Sequence, residues 1–360
     1  MQRSTNYFLV TSALEANPDV SLAEISAGNP EPLNETGLLR QLQASAKPTQ
    51  LAQRTAWPTL RAIAENWIVI ACCIAALAFS PWYLQPLLLL LIAARQHALL
   101  VLMHDASHFL ICRSKAYNDL ISDLFCAFPF GLATRSYRAN HISHHEHLNT
   151  SEDPDLVRTV GPEGHPEEWL FPMPHRRLFR FFVRDLFGRS FLQVISTLRE
   201  LRRTGRASKQ SRCEYPRPAL VMGAYAAAAA SLLYASHKPW LILYGWAVPM
   251  FVVLPLMLRL RALAEHFALP RRHVLNGTRT VRPPWWERIL IAPHNVSMHL
   301  EHHLFPYVPW FRLPELHNRL MQVEVYRSNA HVNGGYLSGR NSLLSDVASV
   351  GDDPRVALSR

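Results

Sequence analysis

Two long apolar blocks constrain this chain more than any other feature. The first runs from Trp67 to Met103 and breaks only at Pro81-Trp82-Tyr83. The second runs from Pro218 to Leu260 and breaks at Ser236-His237-Lys238-Pro239. A helix needs about 20 apolar residues to cross the hydrocarbon core of a bilayer, so each block holds two such helices and a tight turn. In lipid every backbone N–H and C=O must be satisfied within the protein, which leaves a helical hairpin as the structure each block can adopt. Spans are expected at about 64–82, 84–103, 218–236 and 239–260. Trp67, Trp82 and Tyr83 would anchor the first hairpin at the interfaces. Buried helices of a soluble protein are the alternative, but two such hairpins exceed what a soluble core needs. The expected fold class is an all-α integral membrane protein with two transmembrane helical hairpins, four spans in all.

The flanks read differently. Residues 1–58 and 333–360 are polar, with Asn, Ser, Glu and Pro dispersed through the first segment, and are expected to be mobile tails around a membrane domain at 59–332. One short helix is expected near Leu38 to Ala46. No charged stretch followed by an apolar core opens the chain, so no cleavable signal is expected. Five cysteines without a pairing pattern or a C-x-x-C exclude a disulfide scaffold, a zinc ribbon and thioredoxin-like chemistry. The net charge of +10 fits nucleic acid or an anionic membrane surface. Most basic residues flank the apolar runs and no nucleic-acid motif accompanies them, so nucleic acid is not an expected partner.

Charge also orients the hairpins. The loop from Arg158 to Arg217 carries arginines at 176, 177, 180, 184, 189, 199, 202, 203, 206 and 212, whereas the two short turns hold only Lys238. By the positive-inside rule the loop and both termini are expected to be cytoplasmic, in the cell (inner) membrane.

Eighteen histidines demand a chemical explanation. His104-Asp105-Ala106-Ser107-His108 puts two imidazoles at i and i+4. His141-Ile142-Ser143-His144-His145 and His299-Leu300-Glu301-His302-His303 each put three at i, i+3 and i+4. On a helix these spacings aim each cluster at one patch. The topology brings all three to one side, since the first two clusters follow the first hairpin and the third follows the second. A lone buried histidine is more often a satisfied core residue than a ligand, but three spaced clusters on one side of a membrane are not explained that way. Imidazole suits zinc, copper, iron and nickel alike. Eight ligands are too many for one site of about four to six, which argues for two metals. Arg95, Gln96 and His97 interrupt the first block, and either face a cavity or mark where the helix leaves the membrane. His97, seven residues before His104, is not taken as a ligand.

These H-x-x-x-H, H-x-x-H-H and H-x-x-H-H boxes, in this order around two apolar hairpins, resemble those of the membrane fatty acid desaturase family. The likeness extends to Asn149-Thr150-Ser151-Glu152-Asp153-Pro154-Asp155, to Leu304-Phe305-Pro306 and to Leu313-Pro314-Glu315-Leu316-His317, and covers roughly Arg95 to Met321. It implies a cytoplasmic helical cap carrying a di-iron site, with both irons Fe2+ in the reduced form and O2 as co-substrate. The implied ligands are His104, His108, His141, His144, His145, His299, His302 and His303, with His266 at the end of the last span as a ninth. Asn295, one turn before His299 if that segment is helical, is the implied catalytic residue, positioning a water. His147 falls on another face, and His294 and His317 are candidates for orienting the ligands.

The implied reaction removes two hydrogens from adjacent unactivated carbons of a fatty acyl chain or related amphiphile, including amino-acid-derived and sphingoid molecules. Such a chain works with membrane lipid and needs electrons. No His-Pro-Gly-Gly haem signature and no cluster-binding cysteine set is present, so a separate ferredoxin-type or cytochrome donor with its reductase is implied. The arginine-rich loop would attract an acidic carrier or anionic lipid. A hydroxylase on the same scaffold is the nearest rival. A zinc hydrolase would need fewer ligands and an H-E-x-x-H signature that is absent, and a receptor would leave the boxes unexplained.

Overall fold

The computed structural model describes residues 35–156, 169–189, 199, 213–269, 273–339 and 341–349. Helix α1 (Glu35–Ala46) is followed by α2 (Ala56–Leu77) and α3 (Gln85–Ser107), then α4 (Lys115–Ser122), α5 (Thr134–Glu146) and α6 (His175–Arg184). Next come α7 (Pro218–Ala235) and α8 (Pro239–His266), the latter with a π turn at Pro249–Val253. Helices α2, α3, α7 and α8 are each long and apolar enough to cross a membrane. The 22 residues of α2 rise about 33 Å at 1.5 Å per residue, close to the thickness of a bilayer core. Among the described residues five short α-helices follow: α9 (Trp285–Leu290), α10 (His299–Leu304), α11 (Leu313–Leu320), α12 (Glu324–Asn329) and α13 (Leu343–Ser349). Strands β1 (Thr280–Val281) and β2 (Val332–Asn333) pair in parallel, Thr280 opposite Val332.

Local chemistry sets the ends of the spans. Ser80 donates its hydroxyl back to Ala76 O (2.7 Å) just past α2, and Pro81, with no N–H, cannot extend the helix. Pro86 sits in the first turn of α3, where a missing N–H costs nothing. Helix α3 runs beyond the expected end near 103 to Ser107, and α8 runs beyond 260 to His266. Hydropathy falls off before these helices end; they continue because most of the polar side chains in their last turns are buried against the rest of the protein.

Ile63, Ile70 and Leu77 of α2 pack with Leu89, Ile92 and Leu99 of α3 and with Leu241 and Leu254 of α8. Trp67, expected at an interface, lies midway along α2. Its ring stacks on Trp246 at 5.4 Å and its Nε1 donates to Phe125 O (3.0 Å), so it serves packing. Trp82 and Tyr83 are exposed in the α2–α3 turn as an anchor requires. Helix α7 differs from the other three spans: no side chain along it is buried.

The two expected tails also differ from expectation. Leu38, Leu42 and Ala46 of α1, with Leu51, pack against Leu300, Leu316, Leu320 and Tyr326, and Arg319 donates to Ala46 O (3.2 Å) at the end of α1. Leu38, Leu42 and Ala46 recur at four-residue spacing, so a largely polar segment still has an apolar stripe to bury. At the other end Leu343 and Val347 are buried, and Asp346 accepts hydrogen bonds from Arg279 Nη1 (3.1 Å) and His331 Nε2 (2.6 Å). Part of each flank therefore belongs to the packed body, while residues 1–34 and 350–360 lie outside the described residues. In the arginine-rich loop, Arg158, Arg202, Arg203, Arg206 and Arg212 lie outside them too.

Candidate metal centre

Helix α3 ends at the first histidine box, and the way it ends ties that box to the second. The last carbonyls of a helix lack intrahelical partners. Here Arg138 of α5, 2% exposed, donates to Ser107 O (2.9 Å) and Ala106 O (3.2 Å) and also pairs with the buried Asp119. Phe109 turns the chain in the left-handed region, at a φ of 59°, and its ring lies 3.8 Å beneath the Arg138 guanidinium. Helix α5 starts at Thr134, whose N–H donates to Asp123 Oδ1 (2.7 Å). That start points His141 and His145 at His108, and His144 at His266 and His303.

The third box rides on α10, seated against β1: Leu300 N donates to Arg279 O (3.2 Å). Glu301, fully buried, points away from the histidines of the box. It accepts hydrogen bonds from Tyr326 OH (2.7 Å), Thr280 Oγ1 and His317 Nδ1, which fixes the roll of α10. Burial alone would raise the Glu301 pKa, but the bonds from His317 and Thr280 outweigh it and hold the carboxyl below its ordinary range. His266 closes α8 on the same side.

The imidazoles converge in two groups, His104 with His108, His141 and His302, and His144 with His266, His299 and His303. Within each group one nitrogen from every residue lies within 4.8 Å of the others. Nε2 to Nε2 separations are 2.9 Å for His108–His141 and His266–His299, and 3.0 Å for His299–His303. His145 Nε2 lies 3.1 Å from both His141 and His302, and its ring stacks on His303 at 4.2 Å, so it adjoins both groups. All nine histidines expected as ligands are thus together.

The donor set fits metal ions. Two nitrogens each about 2.1 Å from one ion at a right angle stand about 3.0 Å apart, the spacing seen here. His104 Nε2 is buried without a hydrogen-bond partner, an expensive state that a metal would relieve. Ligand imidazoles must be neutral, and burial favours the neutral form at most of these positions. Burial and then the neighbouring histidines hold His141, His299, His302 and His303 well below the usual imidazole range. Burial and then Arg138 bring His108 to about 4, and burial with His108 and His144 brings His145 to about 2.

Among the described residues, carboxylates brace the histidines of one group only. Asp153 Oδ1 accepts from His144 Nδ1 (2.8 Å), which leaves Nε2 as the nitrogen available to a metal. Asp153 is itself held by Asn149 N (3.0 Å). Glu265 Oε1 lies 3.4 Å from His299 Nδ1 and pairs with Arg261. Burial opposes protonation of His144, but Asp153 and Asp155 outweigh it and raise its pKa. In the other group the nearest carboxylate contact is Asp105 Oδ1, 3.8 Å from His104 Nδ1, and Asp105 instead accepts from Trp310 N (2.9 Å).

A pinched cleft of about 10 Å3 reaches the histidines, lined by His104, His299 and His302 together with Asn295, Met298 and Trp310. Asn295 is therefore beside the centre, but not by the expected route. The segment before His299 is no continuous helix: His294 and Asn295 have positive φ of 52° and 55°. Asn295 Nδ2 donates to Trp310 O (3.0 Å). His294 pairs with Asn66 Nδ2 (2.9 Å) and His317 with Glu301, so neither orients a histidine of the two groups as expected. His147 bonds Ser143 O and lies 3.2 Å from Glu152, away from both groups. His97 is fully buried on α3, also outside them.

The bracing carboxylates and Trp310 were not read from sequence. Asp153 lies nine residues beyond His144 in a loop, and Glu265 is adjacent to His266; their proximity to a buried histidine was the available signal. Trp310 carried none.

Comparison with known proteins agrees with this geometry. The chain is 28% identical to dihydrorhizobitoxine desaturase of Bradyrhizobium elkanii over 282 residues, 76% of this chain and 78% of that one. It is 22% identical to an sn-1 oleoyl-lipid 12-desaturase of Anabaena variabilis, over 66% of this chain and 69% of that protein. It is 26% identical to a beta-carotene ketolase of Paracoccus sp. (strain PC1), over 68% of this chain and 88% of the other. The model of the fatty acid desaturase family matches residues 80–336, a stretch that includes all three histidine boxes and His266, and the chain belongs to that family.

Proposed function

We propose that this protein is a multi-pass membrane, di-iron, O2-dependent desaturase that introduces a carbon–carbon double bond into a fatty acyl chain or related amphiphile. The observation that carries the reading is the pair of four-histidine groups, each with nitrogens within 4.8 Å of one another. His104, His108, His141 and His302 would hold one iron and His144, His266, His299 and His303 the other, with His145 between them. Imidazole is an established iron ligand, and a neutral nitrogen set of this size suits two divalent ions. When bound, the irons supply the activation of O2 that breaks two adjacent C–H bonds. The balance is one O2, two electrons and two protons consumed, with two hydrogens taken from the substrate and two waters formed. The electrons come from a separate ferredoxin-type or cytochrome donor and its reductase.

The chain's own work is to hold and exclude. Arg138 fixes the first box against the second, Glu301 fixes the roll of α10, and burial favours the neutral form of His141, His299, His302 and His303. Asn295, in the wall of the cleft, is the candidate to position a water. The arginine-rich loop and the polar turns support termini and metal centre on the cytoplasmic side of the cell (inner) membrane. The similarity to a beta-carotene ketolase favours a second reading, an oxygenase that inserts oxygen on the same scaffold.

Lipid and metabolite profiling by mass spectrometry, with and without expression, identifies the substrate. That substrate, bearing two deuteriums on each of two adjacent carbons, is then turned over under labelled dioxygen. Desaturation removes one deuterium from each carbon and leaves no oxygen label in the product. An oxygen-labelled alcohol or ketone as main product would establish the oxygenase reading instead.

A further inference from the structure

A second cavity lies not at the histidines but beside them. It measures about 220 Å3 and its lining includes Arg282, Arg288, Asn295, Met298, His317 and Asn318. Asn295 and Met298 also line the cleft at His104, His299 and His302, so two side chains form the partition between the cavity and the metal centre. One wall is fixed in advance: His317 is 1% exposed and bonded to Glu301, which Tyr326 and Thr280 also hold.

The charge of the cavity has one sign. Arg282 and Arg288 are exposed, and no acidic group pairs with either guanidinium among the described residues. Asn318 adds an amide. Guanidinium groups bind carboxylate and phosphate by paired N–H donors, and unpaired ones beside a cavity are open to such a ligand. Its volume is below the usual range for a whole ligand, about 300 Å3 and upward, which suits a head group.

We propose that this cavity is the head-group end of the substrate site. It takes a carboxylate or similarly charged oxyanion on Arg282 and Arg288, and the carbons to be oxidised lie only a few bonds away, beyond Asn295 and Met298. The substrate is then an anionic amphiphile oxidised near its charged end. This rests on the oxidative function proposed above for the neighbouring histidines and adds the substrate's class to it. Trp285, exposed at 73% between the two arginines in sequence, makes an anionic lipid surface the competing source of the same chemistry.

The test uses the full iron-loaded chain in phosphatidylcholine nanodiscs and reads binding, not turnover. 6,6,6-Trifluorohexanoate and its uncharged amide are titrated by fluorine NMR against the native chain and against Arg282→Gln/Arg288→Gln, with iron content measured on both. The native chain is expected to prefer the acid by about tenfold or more, and the double variant to lose that preference while keeping its iron. Equal affinity of the native chain for acid and amide would overturn the proposal, and so would a preference that survives in the variant. If the variant fails to fold, the native chain's acid-over-amide preference and its loss in high salt decide the matter alone. Displacement of the acid by phosphatidylserine included in the nanodisc would assign the arginines to lipid and overturn the substrate site. An oxygen-labelled product in the turnover experiment would change the reaction and leave this result standing.

Discussion

The two histidine groups share a design and differ in what stands behind them. In one, His144 is hydrogen-bonded to Asp153, and Glu265 lies 3.4 Å from His299. In the other, no carboxylate hydrogen-bonds a histidine among the described residues; Asp105 lies 3.8 Å from His104 and is committed to the Trp310 backbone. A carboxylate behind an imidazole orients the ring, makes it a stronger donor and offsets part of the ion's charge. The unbraced group is held by His145 and by the Arg138 clamp on the end of α3. Both groups reach the cleft, this one through His104 and His302 and the braced one through His299. On the di-iron reading proposed above, the contrast predicts tighter retention of metal by the braced group.

The hardest test of that contrast is to remove one ligand from each side. His302→Ala and His299→Ala should each lower turnover by about 100-fold or more, with membrane insertion intact. Metal analysis should find one iron kept in His302→Ala, on the braced side. Loss of both irons from both variants would break the contrast. Removing a brace is the next largest change. Asp153→Asn should weaken iron retention by about 10- to 100-fold, read as iron content after dialysis against a graded chelator, and a variant that keeps its iron would show that the brace is dispensable. In the native chain a chelator should withdraw one iron about tenfold faster than the other, because one ion lacks bracing carboxylates; a single-phase loss of both would count against it. The smallest effect belongs to Asn295→Ala, which should lower turnover severalfold, on the order of one hydrogen bond's worth, with iron content unchanged. Equal loss of iron and activity would make Asn295 a ligand or a folding residue.

Much of this centre was legible because histidine spacing is local. Two imidazoles at i and i+4 share a helical face whatever the rest of the chain does, and His104, His141 and His299 could be grouped with their partners on that ground. His266 needed the family resemblance, since one histidine at a span's end has no spacing to interpret. The braces were not legible, because Asp153 and Glu265 reach their histidines through a loop and a helix end whose paths the sequence does not announce. Asn295 was placed near the metals on the premise of a helix that positive φ at His294 and Asn295 rules out. It reaches the cleft through a turn instead. Trp67 carries a packing role the sequence did not announce, because α2 begins well before it, at Ala56, and sets its ring against Trp246. The flanks misled because the segments around α1 and α13 are largely polar, and a few apolar residues at helical spacing were enough to dock them.

Helix α7 answers to a different solvent from the rest of the protein. With no buried side chain along it, and with Tyr225 meeting Phe128 at 5.5 Å as its aromatic contact, what its sequence must satisfy is lipid. Its length and greasiness matter and the identity of most positions does not, so exchanges among Ala, Leu, Val and Ile there should leave folding and catalysis alike. The bilayer, in effect, is the packing partner for one quarter of the membrane-crossing framework, and membrane thickness is the variable to which that quarter is tuned.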